Sequence, residues 1–197
     1  MRWQPPTPDR VAGLIYLEAG YPYAFDDGNG PKMKEFQTRG PRPPGPSDTD
    51  LDSFSSLQKW DADVCGFRIP QAEFRQTWDS NSSGRPWKAR DFPGSQLFAA
   101  IMTTTKTYTH IPVPALVIFA IPHIPEKWIG KSTDPAVREA ARAYLTAVDA
   151  STERQARALE AGVPTARVVR QRGAHYIFLS NETDTLREMR AFLVSLK

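Results

Sequence analysis

The residue whose type and position best suit chemistry is His175, in the stretch Gly173-Ala174-His175-Tyr176-Ile177-Phe178-Leu179-Ser180-Asn181. It follows a short apolar run by a few residues and precedes an amphipathic segment. Imidazole is the side chain that moves a proton most readily near neutral pH. In open α/β sheets functional groups gather just beyond the carboxyl ends of the strands. The plainer reading is a loop histidine bonded to backbone. The other histidines, His110 and His123, stand 13 residues apart with no acidic residue at ligand-like spacing. A zinc site needs three or four convergent ligands with supporting partners, so no metal and no cofactor are expected. Cys65, the single cysteine, has no adjacent histidine or basic group and reads as a small thiol rather than a nucleophile. It also excludes an intrachain disulfide framework, which makes a reducing, cytoplasmic setting the default.

The elements that must position His175 are legible. Val11–Leu17 and Val113–Ala120 are apolar runs without clean alternation, the pattern of strands buried on both faces of a parallel sheet. Ala166–Arg170 is a third, shorter run. Between the second and third lies a strong helix signal, with Asp134 as N-cap, Pro135 as first residue and Gly162 and Pro164 as the stop. Asp149–Thr152 is a place where that helix would kink or divide. A last helix is expected over 182–196, with Leu186, Met189, Phe192, Leu193 and Leu196 on one face and Ser180 or Asn181 as cap. The order strand, helix, strand, helix predicts an α/β fold of about three parallel strands with flanking helices.

Residues 19–110 differ. They hold three expected helices, near 50–62, 70–77 and 93–107, joined by loops rich in Pro, Gly, Ser and Asp. Nine of the 18 prolines fall in the first 50 residues, and Gly40-Pro41-Arg42-Pro43-Pro44-Gly45-Pro46 can be neither helix interior nor central strand. About 90 residues between two strands far exceed what a crossover needs, which predicts a helical lid. The expected division is therefore 1–18 with 111–197 as core and 19–110 as lid. A net charge of +3 is too small, and its basic residues too interspersed with acids, to predict a nucleic-acid partner. No apolar stretch is long enough to predict a membrane span.

Three segments carry a resemblance. Arg10-Val-Ala-Gly-Leu-Ile-Tyr-Leu-Glu-Ala-Gly-Tyr-Pro-Tyr-Ala-Phe25 resembles the sixth strand of an α/β-hydrolase and the start of its lid. Ile111-Pro-Val-Pro-Ala-Leu-Val-Ile-Phe-Ala-Ile-Pro-His123 resembles the seventh strand, and Gly173-Ala-His-Tyr-Ile-Phe-Leu-Ser-Asn-Glu182 the histidine loop. The resemblance spans nearly the whole chain but only the C-terminal half of that family's domain. It implies that His175 is the triad histidine of a carboxylic-ester hydrolase acting on small or medium apolar esters.

The same resemblance requires an activated serine on a tight Gly-x-Ser-x-Gly turn. Gly45-Pro46-Ser47-Asp48-Thr49 and Gly130-Lys131-Ser132-Thr133-Asp134 lack the second glycine, and Ser82-Ser83-Gly84 lacks the first. The family's acid would fall beside His123, where Ile124 cannot serve. Glu126, two residues on, and Glu18, at the end of the sixth strand, are the candidates. Glu18 reads more plainly as a hydrogen-bonded strand-end carboxylate. A chain carrying only this half is expected to be inactive or very weak as an ester hydrolase. It would expose one apolar sheet edge, be marginally stable, and dimerise through that edge or aggregate. The alternative is a non-catalytic remnant that binds a hydrophobic ligand or a partner chain.

Overall fold

The structure is a computed structural model, and it describes residues 11–18, 40–90 and 111–196. The expected helix over 93–107 and His110 lie outside these residues. The described residues divide into two compact units. One contains residues 11–18, 111–123 and 147–196, and the other 40–90 and 124–146.

The first unit is built on a parallel sheet of β1 (Leu14–Leu17), β4 (Ala115–His123) and β5 (Ala166–Gly173), in the order β1-β4-β5. Leu14 registers with Ala115 on one side of β4, and Ala115 with Ala166 on the other. β4 is central, and Ala115 through Ala120 are all buried. This is why its sequence is apolar at every position instead of at every second one. Its side chains still alternate between faces. Leu116, Ile118 and Ala120 pack with Ile177 and Phe192, while Val117 and Phe119 pack with Ala156, Leu159 and Val163.

The long helix α4 (Pro135–Gly162) covers the second of these faces with its C-terminal part. Asp134 Oδ1 accepts from the Ala136 N–H at 2.8 Å, as expected of an N-cap. The helix is not divided at Asp149–Thr152, one of the two outcomes expected there, since α4 runs unbroken from Pro135 to Gly162. Thr152 turns its hydroxyl back onto the Val148 carbonyl at 3.0 Å, within the helix, and Asp149 uses its carboxylate elsewhere. After β5 come a single turn, α5 (Ile177–Ser180), and α6 (Glu182–Ser195), which covers the other face through Phe192, Met189 and Leu196. Asn181 stands at the cap position of α6 without capping it. Its side chain donates to the Arg172 carbonyl at 2.9 Å, and Ser180 Oγ accepts from the Ala174 N–H at 2.8 Å.

The second unit contains α1 (Phe54–Cys65), α2 (Gln71–Phe74), α3 (Lys127–Lys131) and the first part of α4. Ser53 caps α1 by accepting from the Ser56 N–H at 3.0 Å. Gly66 ends it in the left-handed region at φ +94°, where a side chain would be strained. Phe54, Leu57 and Phe74 form its core with Trp60, Ile69 and Trp78. The buried Gln58 is satisfied at both ends, donating to the Ile69 carbonyl and accepting from Arg68. An antiparallel hairpin, β2 (Trp78–Ser80) with β3 (Pro86–Ala89), stands where the sequence predicts only loop. Its strands are only three and four residues long and mostly exposed, too short for a periodicity to mark them. The Asn81 side chain, accepting from the N–H groups of Ser83 and Arg85, shapes the turn. Among the described residues no helix is long and apolar enough to cross a membrane.

Candidate functional site

Glu18 ends β1. Its backbone donates to the Ile118 carbonyl at 2.8 Å, and its own φ is +49°. That is the left-handed region, which a non-glycine residue enters at a cost of order 1 kcal/mol and which recurs at functional positions. One Glu18 oxygen, Oε2, accepts from the Ala120 N–H of β4. The side chain thus caps a strand-end donor where the β1–β4 ladder stops. The other oxygen, Oε1, lies 3.4 Å from His123 Nε2.

His123 occupies the carboxyl end of β4, where the β4–β5 register shifts and His123 comes level with Gly173. Its opposite nitrogen, Nδ1, is 2.7 Å from Asp149 Oδ1, and the same oxygen accepts from the His123 backbone N–H at 2.9 Å. Asp149 reaches it from α4. An ionised carboxylate only accepts, so Nδ1 carries the proton toward Asp149. The imidazole is 9% exposed, Glu18 10% and Asp149 27%. Burial alone would push the imidazole toward its neutral form. The hydrogen bonds to Glu18 and Asp149, together with their charges, outweigh it and raise the His123 pKa above its ordinary value. The arrangement is a carboxylate–imidazole–carboxylate chain across three elements, able to hold or pass a proton.

The carboxylates sit on opposite ring nitrogens, so the three side chains do not converge on one point. Among the described residues no group of three or more His, Cys, Asp or Glu is disposed to hold a metal ion.

His175 is exposed in the loop after β5. That loop is tied down by the bonds Ala174 to Ser180 and Asn181 to Arg172. The His175 ring meets Tyr176 edge-on at 5.4 Å, and Tyr176 meets Phe178 in the same manner at 5.9 Å. Glu126 precedes α3 and accepts from Trp128 Nε1 at 2.6 Å. The three residues predicted as a site are therefore not joined by hydrogen bonds. Glu18 meets a histidine, but that histidine is His123.

Asp149 was missed as a site residue, since in sequence it reads as a helix breaker. In sequence His123 reads only as a candidate metal ligand. Its position at the carboxyl end of the most apolar strand was the signal that could have found it. Cys65 is half-buried at the end of α1. Burial, the neighbouring Asp61 and the charge of Glu126 push its thiol up to about 12. No protein-family model, curated protein or solved structure matches this chain.

Proposed function

We propose that the chain carries the C-terminal part of an α/β-hydrolase-like core, serving the hydrolysis of small or medium apolar carboxylic esters. His175 is its general base and then general acid, and Glu18 is the first candidate for its acid. The observation that carries this reading is the parallel order β1-β4-β5, with Glu18 at the carboxyl end of the first strand and His175 just beyond the third. Such an arrangement presents polar side chains at one end of a parallel sheet, where substrates of α/β folds bind. A serine on a strand-to-helix elbow has to be supplied by other sequence, because no Gly-x-Ser-x-Gly occurs in these 197 residues. A reducing, cytoplasmic setting and self-association through the β1 edge belong to the same reading. Among the described residues β1 pairs only with β4.

A second reading is a remnant that binds a hydrophobic ligand or partner chain without catalysis. The observation that favours it is that both Glu18 oxygens are engaged, by His123 and by Ala120.

The test is to read the coding DNA upstream of the Met1 codon and to co-produce any encoded segment with this chain. Under the hydrolase reading the segment encodes Gly-x-Ser-x-Gly after an apolar strand. The pair then shows burst hydrolysis of a p-nitrophenyl ester, which His175→Ala abolishes, while this chain alone shows none. Unrelated upstream sequence, with no hydrolysis, overturns that reading and leaves the binding remnant; a burst indifferent to His175 overturns the role given to His175.

A further inference from the structure

We propose that the proton shared along Glu18–His123–Asp149 is a latch on the end of β1, and that when His123 loses it the Glu18 arm opens while the Asp149 arm stays closed.

The two arms differ in kind. Asp149 Oδ1 holds His123 twice, by the ring Nδ1–H at 2.7 Å and by the backbone N–H at 2.9 Å. A neutral imidazole keeps one N–H, and both of these bonds survive if the proton stays on Nδ1. The Nε2 lone pair then faces Glu18 Oε1 across 3.4 Å, an acceptor against an ionised acceptor. Attraction on that side becomes repulsion, in a place where little water screens it.

Glu18 is also the strained partner. Its φ is +49°, in the left-handed region, and its side chain meets the imidazole and the Ala120 N–H. With the imidazolium neutralised, the carboxylate gains by turning to water and the backbone gains by leaving the left-handed region. The Ala120 N–H then loses its acceptor. The ladder beneath, Leu14–Leu17 against Ala115–Ile118, does not depend on the latch and stays paired.

Among the described residues the charged groups facing the ring are Glu18 from β1 and Asp149 from α4. β5 contributes the uncharged Gly173 at that level. The latch stands without the hydrolase reading. If Glu18 also serves as an acid toward His175, the proton on His123 controls when its carboxylate is free.

The experiment is nuclear magnetic resonance of the full chain across pH, following the His123 ring nitrogens and the intrinsic-rate-corrected protection of two amides. Ala120 reports the Glu18 arm and His123 the Asp149 arm. The expected result is one midpoint for the His123 ring, above that of a free imidazole. As pH rises through it, Ala120 protection falls about tenfold, the equivalent of one charge-assisted hydrogen bond, while His123 protection holds. Glu18→Gln, which can donate to a neutral ring, makes Ala120 protection independent of pH and lowers the midpoint. Asp149→Asn also lowers the midpoint. The proposal is overturned if the His123 amide loses protection first. It is equally overturned if Ala120 protection ignores the midpoint in the native sequence, or if neither substitution moves it. None of these outcomes depends on ester hydrolysis.

Discussion

Asp149 Oδ1 accepts both the ring and the backbone N–H of His123, at 2.7 and 2.9 Å, and so fastens the middle of a long helix to the end of the central strand. Opposite it, Glu18 fastens the end of β1 to the same ring. One imidazole thus joins three elements of the sheet unit, and its charge state enters the stability of that unit.

The His123 pKa is raised in the folded chain above the 6.5 of an ordinary imidazole. The folded state therefore holds a proton that the unfolded state releases. That contribution to stability is fully present below 6.5 and is lost as pH rises through the folded value. Urea unfolding from pH 5.5 upward should show stability falling over this window, with His123→Gln lacking that fall. A His123→Gln curve parallel to that of the native chain would show that the ring does not titrate between the carboxylates.

Gly173 sits where the chain leaves β5 for the histidine loop. A Cβ there would lie 2.1 Å from Ile177 Cδ1 and 3.0 Å from Ser180 Oγ. Ile177 is wholly buried in the core, so it has little room to give. Gly173→Ala should cost about 1–3 kcal/mol, the usual penalty of overpacking. Ile177→Ala in the same chain should cost less than it does alone, because the cavity relieves the clash. Strict additivity in thermal or urea unfolding would count against this packing account.

His175 is exposed, whereas Leu116 is completely buried beneath α6. His175→Ala should change stability by no more than about 0.5 kcal/mol. Leu116→Ala should cost about 2–5 kcal/mol. The comparison shows whether His175 contributes to packing as Leu116 does. A His175→Ala loss approaching that of Leu116→Ala would make the histidine structural.

Cys65 is half-buried at the end of α1, and its thiol is pushed up to about 12 by burial first and by Asp61 second. In the folded chain at pH 8 it should alkylate with iodoacetamide far more slowly than in urea. Asp61→Asn removes the nearest charge opposing the thiolate and should speed the reaction without changing the fold, as followed by circular dichroism. Rapid native alkylation would mean the site opens locally.

The parallel sheet was legible because its cause is local. Val113–Ala120 is apolar at every position since β4 is flanked on both edges and covered on both faces, and the observed strand runs Ala115–His123. The long helix announces itself through Asp134, Pro135 and Gly162, and the observed helix runs Pro135–Gly162. The last helix shows through Met189, Phe192 and Leu196, which pack on the sheet, whereas Leu186 and Leu193 of the expected stripe are exposed. The hairpin of β2 and β3 was not legible, because strands of three and four residues are too short to show a periodicity and depend on an Asn81 side chain for their turn.

The site divides along the same line. From the sequence alone come the residue types, with histidines and carboxylates placed near strand ends, and that follows from strand periodicity and from where parallel strands stop. Which histidine meets which carboxylate was decided only by the tertiary structure. Glu18 and Ala120 are 102 residues apart along the chain, and His123 and Asp149 are 26 apart. Register, the shift at Ala120–His123 and the left-handed turn at Glu18 bring His123, not His175, between the two acids. Pairings of this kind are set by how strands and helices pack against one another, and no local pattern of residues encodes that packing.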